Sequence, residues 1–137
     1  MRVFFDSSGL AKRYIRERGS DEVEEILSVA GEVGLSVIAP AEVVSALNRL
    51  RRQRSIAPGQ YDLVKSALFS DLEDVSVVGV TNSVVAGAIN LLEDHPIRTL
   101  DAIHVASAVE WDAELFVSSD ERQLAAAAER GLRARRV

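Results

Sequence analysis

Short apolar runs recur along this chain, and each is followed by a longer stretch of helical periodicity. The runs are Val3-Phe4-Phe5, Leu35-Ser36-Val37-Ile38, Val75 to Val80 and Leu115-Phe116-Val117. Runs this short, apolar at successive positions instead of alternating ones, suit strands covered on both faces. Strands that alternate with helices cover both faces most simply as a parallel sheet with helices packed against it. The expected class is therefore α/β, with a mostly parallel central sheet flanked by helices. No internal repeat, low-complexity tract or linker interrupts the 137 residues, so residues 1–137 are expected to form a single domain with its own core.

The helices follow from period and punctuation. Ser7 to about Ile15 follows the first run. Ser20 opens a helix with Asp21 and Glu22 at its positive end and Val23, Ile26, Leu27 and Ala30 as an apolar stripe, and Gly31 stops it. Pro40 suits the first turn of the next helix, which carries Glu42 early, although Ala39 stands where a capping Ser or Thr is more usual. Pro58-Gly59 breaks the chain before a helix lined by Tyr61, Val64, Leu68 and Leu72. Thr81 caps another, holding Val84, Val85, Ala88, Leu91 and Leu92. After a turn at His95-Pro96, Thr99 is expected to cap a nearly all-apolar, buried helix from Leu100 to about Val109. Asp120 and Gln123 have capping-box spacing before an alanine-rich helix that ends at Gly131. Leu132 to Val137 is expected to add a short edge strand.

Composition narrows the chemistry. There are no cysteines and only two histidines, His95 and His104. Disulfides and thiolate sites are excluded, and an imidazole-rich zinc or copper site is disfavoured. Any metal must be held mainly by oxygen, which suits Mg2+ or Mn2+. Met1-Arg2-Val3-Phe4-Phe5 meets a carboxylate too soon for a secretion signal, and no segment approaches the ~20 apolar residues of a membrane span. A cytoplasmic protein without a membrane partner is expected. The net charge of −5 argues against nucleic acid, but the cations cluster at Lys12, Arg13, Arg16 and Arg18, at Arg49, Arg51, Arg52 and Arg54, and at Arg130, Arg133, Arg135 and Arg136. Local patches, more than net charge, govern phosphate binding, although each cluster alone also suits a solvated helix face.

Four acids fall at equivalent places in this layout. Asp6 closes the first strand, Asp120 sits just past the fourth, and Glu42 and Asp101 lie in first turns of helices. In a parallel α/β sheet, strand C-terminal ends and the following helix N-termini share the edge where ligands bind. Taken singly, each acid is accounted for by helix capping and the macrodipole. Asp6 and Asp101 resist that reading because apolar residues flank them, and buried acids are rare unless paired or metal-bound. Carboxylates gathered in one volume repel one another, and a divalent cation relieves the conflict. Such a centre suits phosphodiester hydrolysis. No P-loop, glycine-rich dinucleotide fingerprint or Ser-His-Asp order points elsewhere.

The opening Val3-Phe4-Phe5-Asp6-Ser7-Ser8-Gly9-Leu10-Ala11-Lys12-Arg13-Tyr14 resembles that of PIN-domain nucleases, most closely the VapC-type toxins of toxin–antitoxin pairs. Ala41-Glu42-Val43-Val44-Ser45-Ala46-Leu47, Leu100-Asp101-Ala102-Ile103-His104-Val105-Ala106-Ser107-Ala108 and Phe116-Val117-Ser118-Ser119-Asp120-Glu121-Arg122-Gln123-Leu124 follow in the family's order. The resemblance implies a PIN-like three-layer sandwich and metal-dependent cleavage of RNA with Mg2+ or Mn2+. It implies Asp6 and Asp101 as metal ligands, Asp120 as holding or completing a second site, and Glu42 as positioning or activating water. It places Ser118 where the family often has threonine, whose hydroxyl supports the acidic centre. It also implies a cognate antitoxin and a homodimer.

Two other classes stay open on the residues themselves. One is a Mg2+-dependent phosphatase or phosphoryl-transfer domain with Asp6 as nucleophile, although Ser8 fills the place where that chemistry usually wants a second acid. The other is a non-catalytic, metal-regulated partner-binding domain. His104, three residues after Asp101, is read as a satisfied, partly buried histidine, Trp111 as core or interface, and Asn48 as capping a polar face.

Overall fold

The computed structural model describes every residue from Met1 to Val137. Five strands, β1 (Arg2–Phe5), β2 (Glu32–Ser36), β3 (Ser76–Val78), β4 (Leu115–Ser118) and β5 (Arg133–Arg136), form one sheet in the order β3-β2-β1-β4-β5. Every neighbouring pair is parallel, so the sheet is wholly parallel. Seven helices, α1 (Ser7–Tyr14), α2 (Ser20–Val29), α3 (Ala39–Arg52), α4 (Pro58–Asp71), α5 (Asn82–Asp94), α6 (Thr99–Glu110) and α7 (Glu121–Glu129), connect and cover it.

Side-chain alternation along β1 and β4 divides the interior into two cores. Val3, Phe5 and Val117 face a cluster completed by Leu10, Val23, Leu35, Val43, Leu47 and Leu68 from the α1–α4 side. Phe4 and Phe116 face the opposite way, into a cluster with Val84, Leu91, Val105 and Leu124 from the α5–α7 side. The result is the expected three-layer sandwich. Burying both faces of β1 and β4 is what makes these runs apolar at every position.

Several boundaries differ from expectation. β2 runs over Glu32–Ser36 instead of starting at Leu35, because Arg2 pairs with Glu32 and the ladder extends back along the whole of β1. Val37 and Ile38 leave the sheet, and Val37 is half-exposed. β3 contracts to three residues because it pairs only with β2 at the edge. Thr99 is the first residue of α6 and does not cap it; Arg98, extended at φ −82° and ψ 162°, takes the N-cap position without a side-chain bond. Ile38 likewise caps α3 without a side-chain bond, and Pro40 sits in its first turn. No helix is long and apolar enough to cross a membrane.

Strand order decides where a site can form. From β1 the chain moves through β2 and β3 to one side, then returns through α6 to β4 on the other side of β1. Beyond the C-terminal ends of β1 and β4, successive connections diverge to opposite faces. That crevice is where open parallel sheets bind ligands.

Candidate active site

Asp6 leaves β1 directly into this crevice and is 1% exposed. Its carboxylate is the N-cap of α1 and accepts from the Gly9 amide at 2.8 Å. Ser8 Oγ lies 2.8 Å from both of its oxygens, and Ser118 Oγ donates to Oδ2 at 2.8 Å. A Cβ on Gly9 would stand 2.9 Å from the Val117 carbonyl oxygen and 3.3 Å from Asp6 Oδ1, so glycine lets α1 start this close to β4. Burial pushes the Asp6 carboxyl above its ordinary range, and the bonds from Gly9, Ser118 and Ser8 together with the charge of His104 only partly offset it.

Ser118, at the end of β4, is fully buried and also accepts the Asp120 amide at 2.9 Å. One hydroxyl thus ties Asp6 to the loop that carries Asp120. The Ser119 amide donates to Ser8 Oγ at 3.0 Å and closes the same crevice from α1. Asp120 caps α7 by accepting the Arg122 amide at 2.9 Å. The expected capping box is not made: Asp120 bonds the Arg122 amide and not that of Gln123, and its own amide goes to Ser118. Gln123 is 3% exposed and turns inward, where its Nε2 donates to Asp101 Oδ1 at 3.0 Å. The Asp120 amide that the box would need is already bonded to Ser118, and the donor end of Gln123 is free for the acid across the crevice.

Asp101 lies in the first turn of α6. Burial raises its pKa first, and the nearby Asp120 and Glu42 charges raise it further against Arg98 and His104. Glu42, in the first turn of α3, behaves oppositely. Burial alone would raise it, but hydrogen bonds from His104 and Ser7 and the charges of His104 and Arg98 hold it below the ordinary carboxylate range. Ser7 Oγ donates to Glu42 Oε1 at 2.7 Å, and His104 Nε2 meets the same oxygen in a short contact.

Asp6, Glu42, Asp101 and Asp120 all line one open cavity of about 810 Å3, together with Ser7, Ser8, His104 and Gln123. Its wall also carries three cations. Lys12 and Arg49 come from two of the basic clusters, and Arg98 comes from the N-cap of α6. The other clustered cations do not line the cavity. Arg13 pairs with Asp71 at 2.8 Å and with Glu24 at 3.1 Å, Arg16 with Asp21 at 2.7 Å, and Arg130 with Asp94 at 2.8 Å. Arg51 donates to Asn48 and stacks over Tyr61, 4.3 Å from the ring centroid.

Asn48 Nδ2 donates to the Tyr61 hydroxyl at 3.0 Å, tying α3 to α4, and to the Val44 carbonyl within α3 at 2.9 Å, away from the cavity. Trp111 packs 6.1 Å from Phe4 and under Arg2, at the margin of the core. His104 is fully buried, more so than expected, and its partners are site residues. The roles of Ser7, Ser8, Arg98 and Gln123 were not drawn from the sequence. Ser7 and Ser8 adjoin Asp6 in the chain, which was the available signal; Gln123 Nε2 to Asp101 spans 22 positions and left none.

As the side chains stand, no three His, Asp or Glu groups are gathered closely enough to chelate one ion. The donor set nevertheless fits a hard cation. Mg2+ typically keeps several waters and takes only one or two carboxylates from the protein. Asp6 has three donor protons, from Ser8, Gly9 and Ser118, against about four lone-pair sites on a carboxylate, which leaves one free. The charge of Asp120 disfavours the ionised form of Asp101, the condition that a bound cation relieves.

A wholly parallel three-layer sandwich with four acids at its switch point defines a carboxylate-centred α/β fold. The PIN domain family model matches residues 3–129, and the chain belongs to the PIN domain family. No curated protein sequence matches it. Among solved structures it is similar to VapC20 of Mycobacterium tuberculosis, described as a sarcin-ricin loop cleaving toxin, with TM-score 0.70, 19% identity and 90% of this chain covering 94% of that one. It is also similar to a toxin–antitoxin complex from Klebsiella pneumoniae, with TM-score 0.68, 14% identity and 90% of each chain covered. A third similar structure is FitAcB from Neisseria gonorrhoeae, with TM-score 0.71, 14% identity and coverage of 96% of this chain and 95% of that one.

Proposed function

We propose that residues 1–137 act as a single metal-dependent endoribonuclease domain, the toxin of a toxin–antitoxin pair, working in the cytoplasm. The observation that carries this reading is the convergence of Asp6, Glu42, Asp101 and Asp120 on one cavity whose wall also holds Lys12, Arg49 and Arg98. Acids suit a divalent cation and cations suit a phosphate backbone, and a phosphodiesterase needs both in one place. Similarity to a toxin described as cleaving the sarcin-ricin loop and to a toxin–antitoxin complex supports RNA as substrate and an antitoxin as partner. A homodimer is part of the same reading.

Asp6, Asp101 and Asp120 are the residues that would hold Mg2+ or Mn2+. When bound, the cation would supply positive charge to the scissile phosphate and lower the pKa of a coordinated water. Glu42, ionised because its pKa is held low, accepts the proton of the attacking water. The water oxygen bonds to phosphorus and the sugar oxygen on the far side departs. Arg98 and Arg49 grip flanking phosphates, and Lys12 adds charge while donating to the Arg18 carbonyl at 2.7 Å. Ser118 and Ser8 hold Asp6 in place throughout.

A phosphatase with Asp6 as nucleophile is less well supported. Ser8 stands two residues after Asp6, where that chemistry usually wants a second acid, and its hydroxyl is bonded to the Asp6 carboxylate instead. The test is cleavage of RNA by purified protein with Mg2+ or Mn2+, abolished by EDTA and by Asp6→Asn. Equal cleavage by wild type and Asp6→Asn overturns the assigned chemistry.

A further inference from the structure

We infer that His104 is a positioning residue for Glu42, fixed with its ring proton on Nε2 so that it pins one carboxylate oxygen and leaves the other as the acceptor facing chemistry. The inference rests on the reading of Glu42 as the group that takes the proton from water, and deepens it.

His104 sits in the most apolar helix of the chain and is 1% exposed. A buried imidazole in such a helix requires partners. Its Nε2 faces Glu42 Oε1 and lies 3.1 Å from Ser7 Oγ, while Ser7 Oγ lies 2.7 Å from the same Glu42 oxygen. Three polar atoms from α6, α3 and α1 therefore close a triangle. Proton counting fixes their roles. An ionised carboxylate only accepts, and the one proton of Ser7 goes to Glu42. Neither partner has a proton left to give to Nε2, so Nε2 must be the donor. The opposite ring nitrogen, Nδ1, is buried without any partner.

Both contacts fall on Oε1, and Oε2 makes no hydrogen bond. Glu42 has a flexible side chain at the rim of a wide, open cavity, where an unheld carboxylate would sample several rotamers. Held at one oxygen from two directions, it presents the other in a defined place. Displacement of a reacting group by about 1 Å can cost on the order of 10²-fold in rate.

The experiment compares wild type, His104→Leu and His104→Gln, alone and in the Glu42→Gln background, with kcat and KM for a model RNA measured separately. The expected result is a kcat about 10²-fold lower in His104→Leu with KM nearly unchanged. Gln, whose amide N–H reaches a similar distance, should recover about tenfold of it. In the Glu42→Gln background, His104→Leu should change the residual rate little. An unchanged kcat in folded His104→Leu, a loss confined to KM, or an equal loss in both backgrounds overturns the inference. Nitrogen-15 NMR of histidine-labelled wild type provides a readout that needs neither turnover nor a variant. A proton on Nε2 is expected, and a neutral ring protonated on Nδ1 alone overturns the inference. An inactive protein that still shows the Nε2–H signal refutes the ribonuclease reading and leaves the pinning of Glu42 standing.

Discussion

Replacing Ser118 by alanine removes one hydroxyl and should loosen two acids at once. Ser118 Oγ is fully buried, donates to Asp6 Oδ2 at 2.8 Å and accepts the Asp120 amide at 2.9 Å. A hydrogen bond to a charged group contributes about 1.5–3 kcal/mol, and an amide left without a partner costs roughly 1 kcal/mol or more. The Asp120 amide borders an open cavity where water can replace part of the loss, so the expected sum is about 2–4 kcal/mol. Urea denaturation at neutral pH measures it, with an unchanged m-value showing that the native and denatured states are otherwise alike. The loss should shrink in acid. The Ser118 bond favours the ionised form of Asp6, and that advantage fades once Asp6 takes up a proton, which it does at a higher pH than an ordinary aspartate. Ser118→Thr keeps the hydroxyl and should retain cleavage activity. A Ser118→Ala variant within about 0.5 kcal/mol of wild type would refute the claim that this hydroxyl holds the acidic centre together.

Removing cavity cations should weaken RNA binding more than it changes the chemical step. Arg49→Ala and Arg98→Ala should each lower the slope of log affinity against log salt by about 0.7, the value for one lost phosphate contact on a single strand, while Arg16→Ala, paired with Asp21 outside the cavity, should not. Asp71 receives hydrogen bonds from Arg13 and Tyr14, each at 2.8 Å; burial alone would raise its pKa, but these bonds and the Arg13 charge hold it low. A carboxyl lowered on folding stabilises above its unfolded pKa and loses that contribution as pH falls through the folded value. Asp71→Asn should therefore cost up to about 1 kcal/mol near neutrality, with the gap to wild type closing below about pH 4 in pH-dependent thermal melts. Asp101→Asn should raise the melting temperature of the metal-free protein at pH 7 even as it abolishes cleavage. The folded-state pKa of Asp101 is raised, first by burial and then by Asp120, so its ionised form opposes folding at that pH. The gain should vanish at a pH below the unfolded value, and calorimetry across pH 3–7 decides it.

Much of this architecture was legible in the sequence because both periods were strong. Val3-Phe4-Phe5 and Leu115-Phe116-Val117 are buried on both faces, and that burial is why they are apolar throughout. The four acids were legible because a parallel sheet gathers strand ends and helix starts at one edge. Side-chain partnerships were not legible. Gln123 fits a capping box by spacing, yet a buried position facing Asp101 outweighs a local cap, and no local pattern encodes a contact made across 22 positions. His104 has the spacing of a neighbour of Asp101, but its contact with Glu42 depends on how α6 and α3 meet. Thr99 misled because Ser and Thr are common N-caps, whereas the extended backbone at Arg98 puts the helix start one residue earlier than a cap at Thr99 requires. The basic clusters were visible, but which cations reach the cavity depends on tertiary pairing, and only Lys12 and Arg49 among them line it.

The account stands most directly on whether the acids form one cation site. Titration of the protein with Mn2+, following the free ion by electron paramagnetic resonance, tests this without RNA. Saturable binding by wild type, strongly weakened in Asp101→Asn and Asp6→Asn and preserved in Asp71→Asn, is the predicted result. Binding of equal strength in wild type and both site variants, or none in wild type that cleaves RNA, would contradict it.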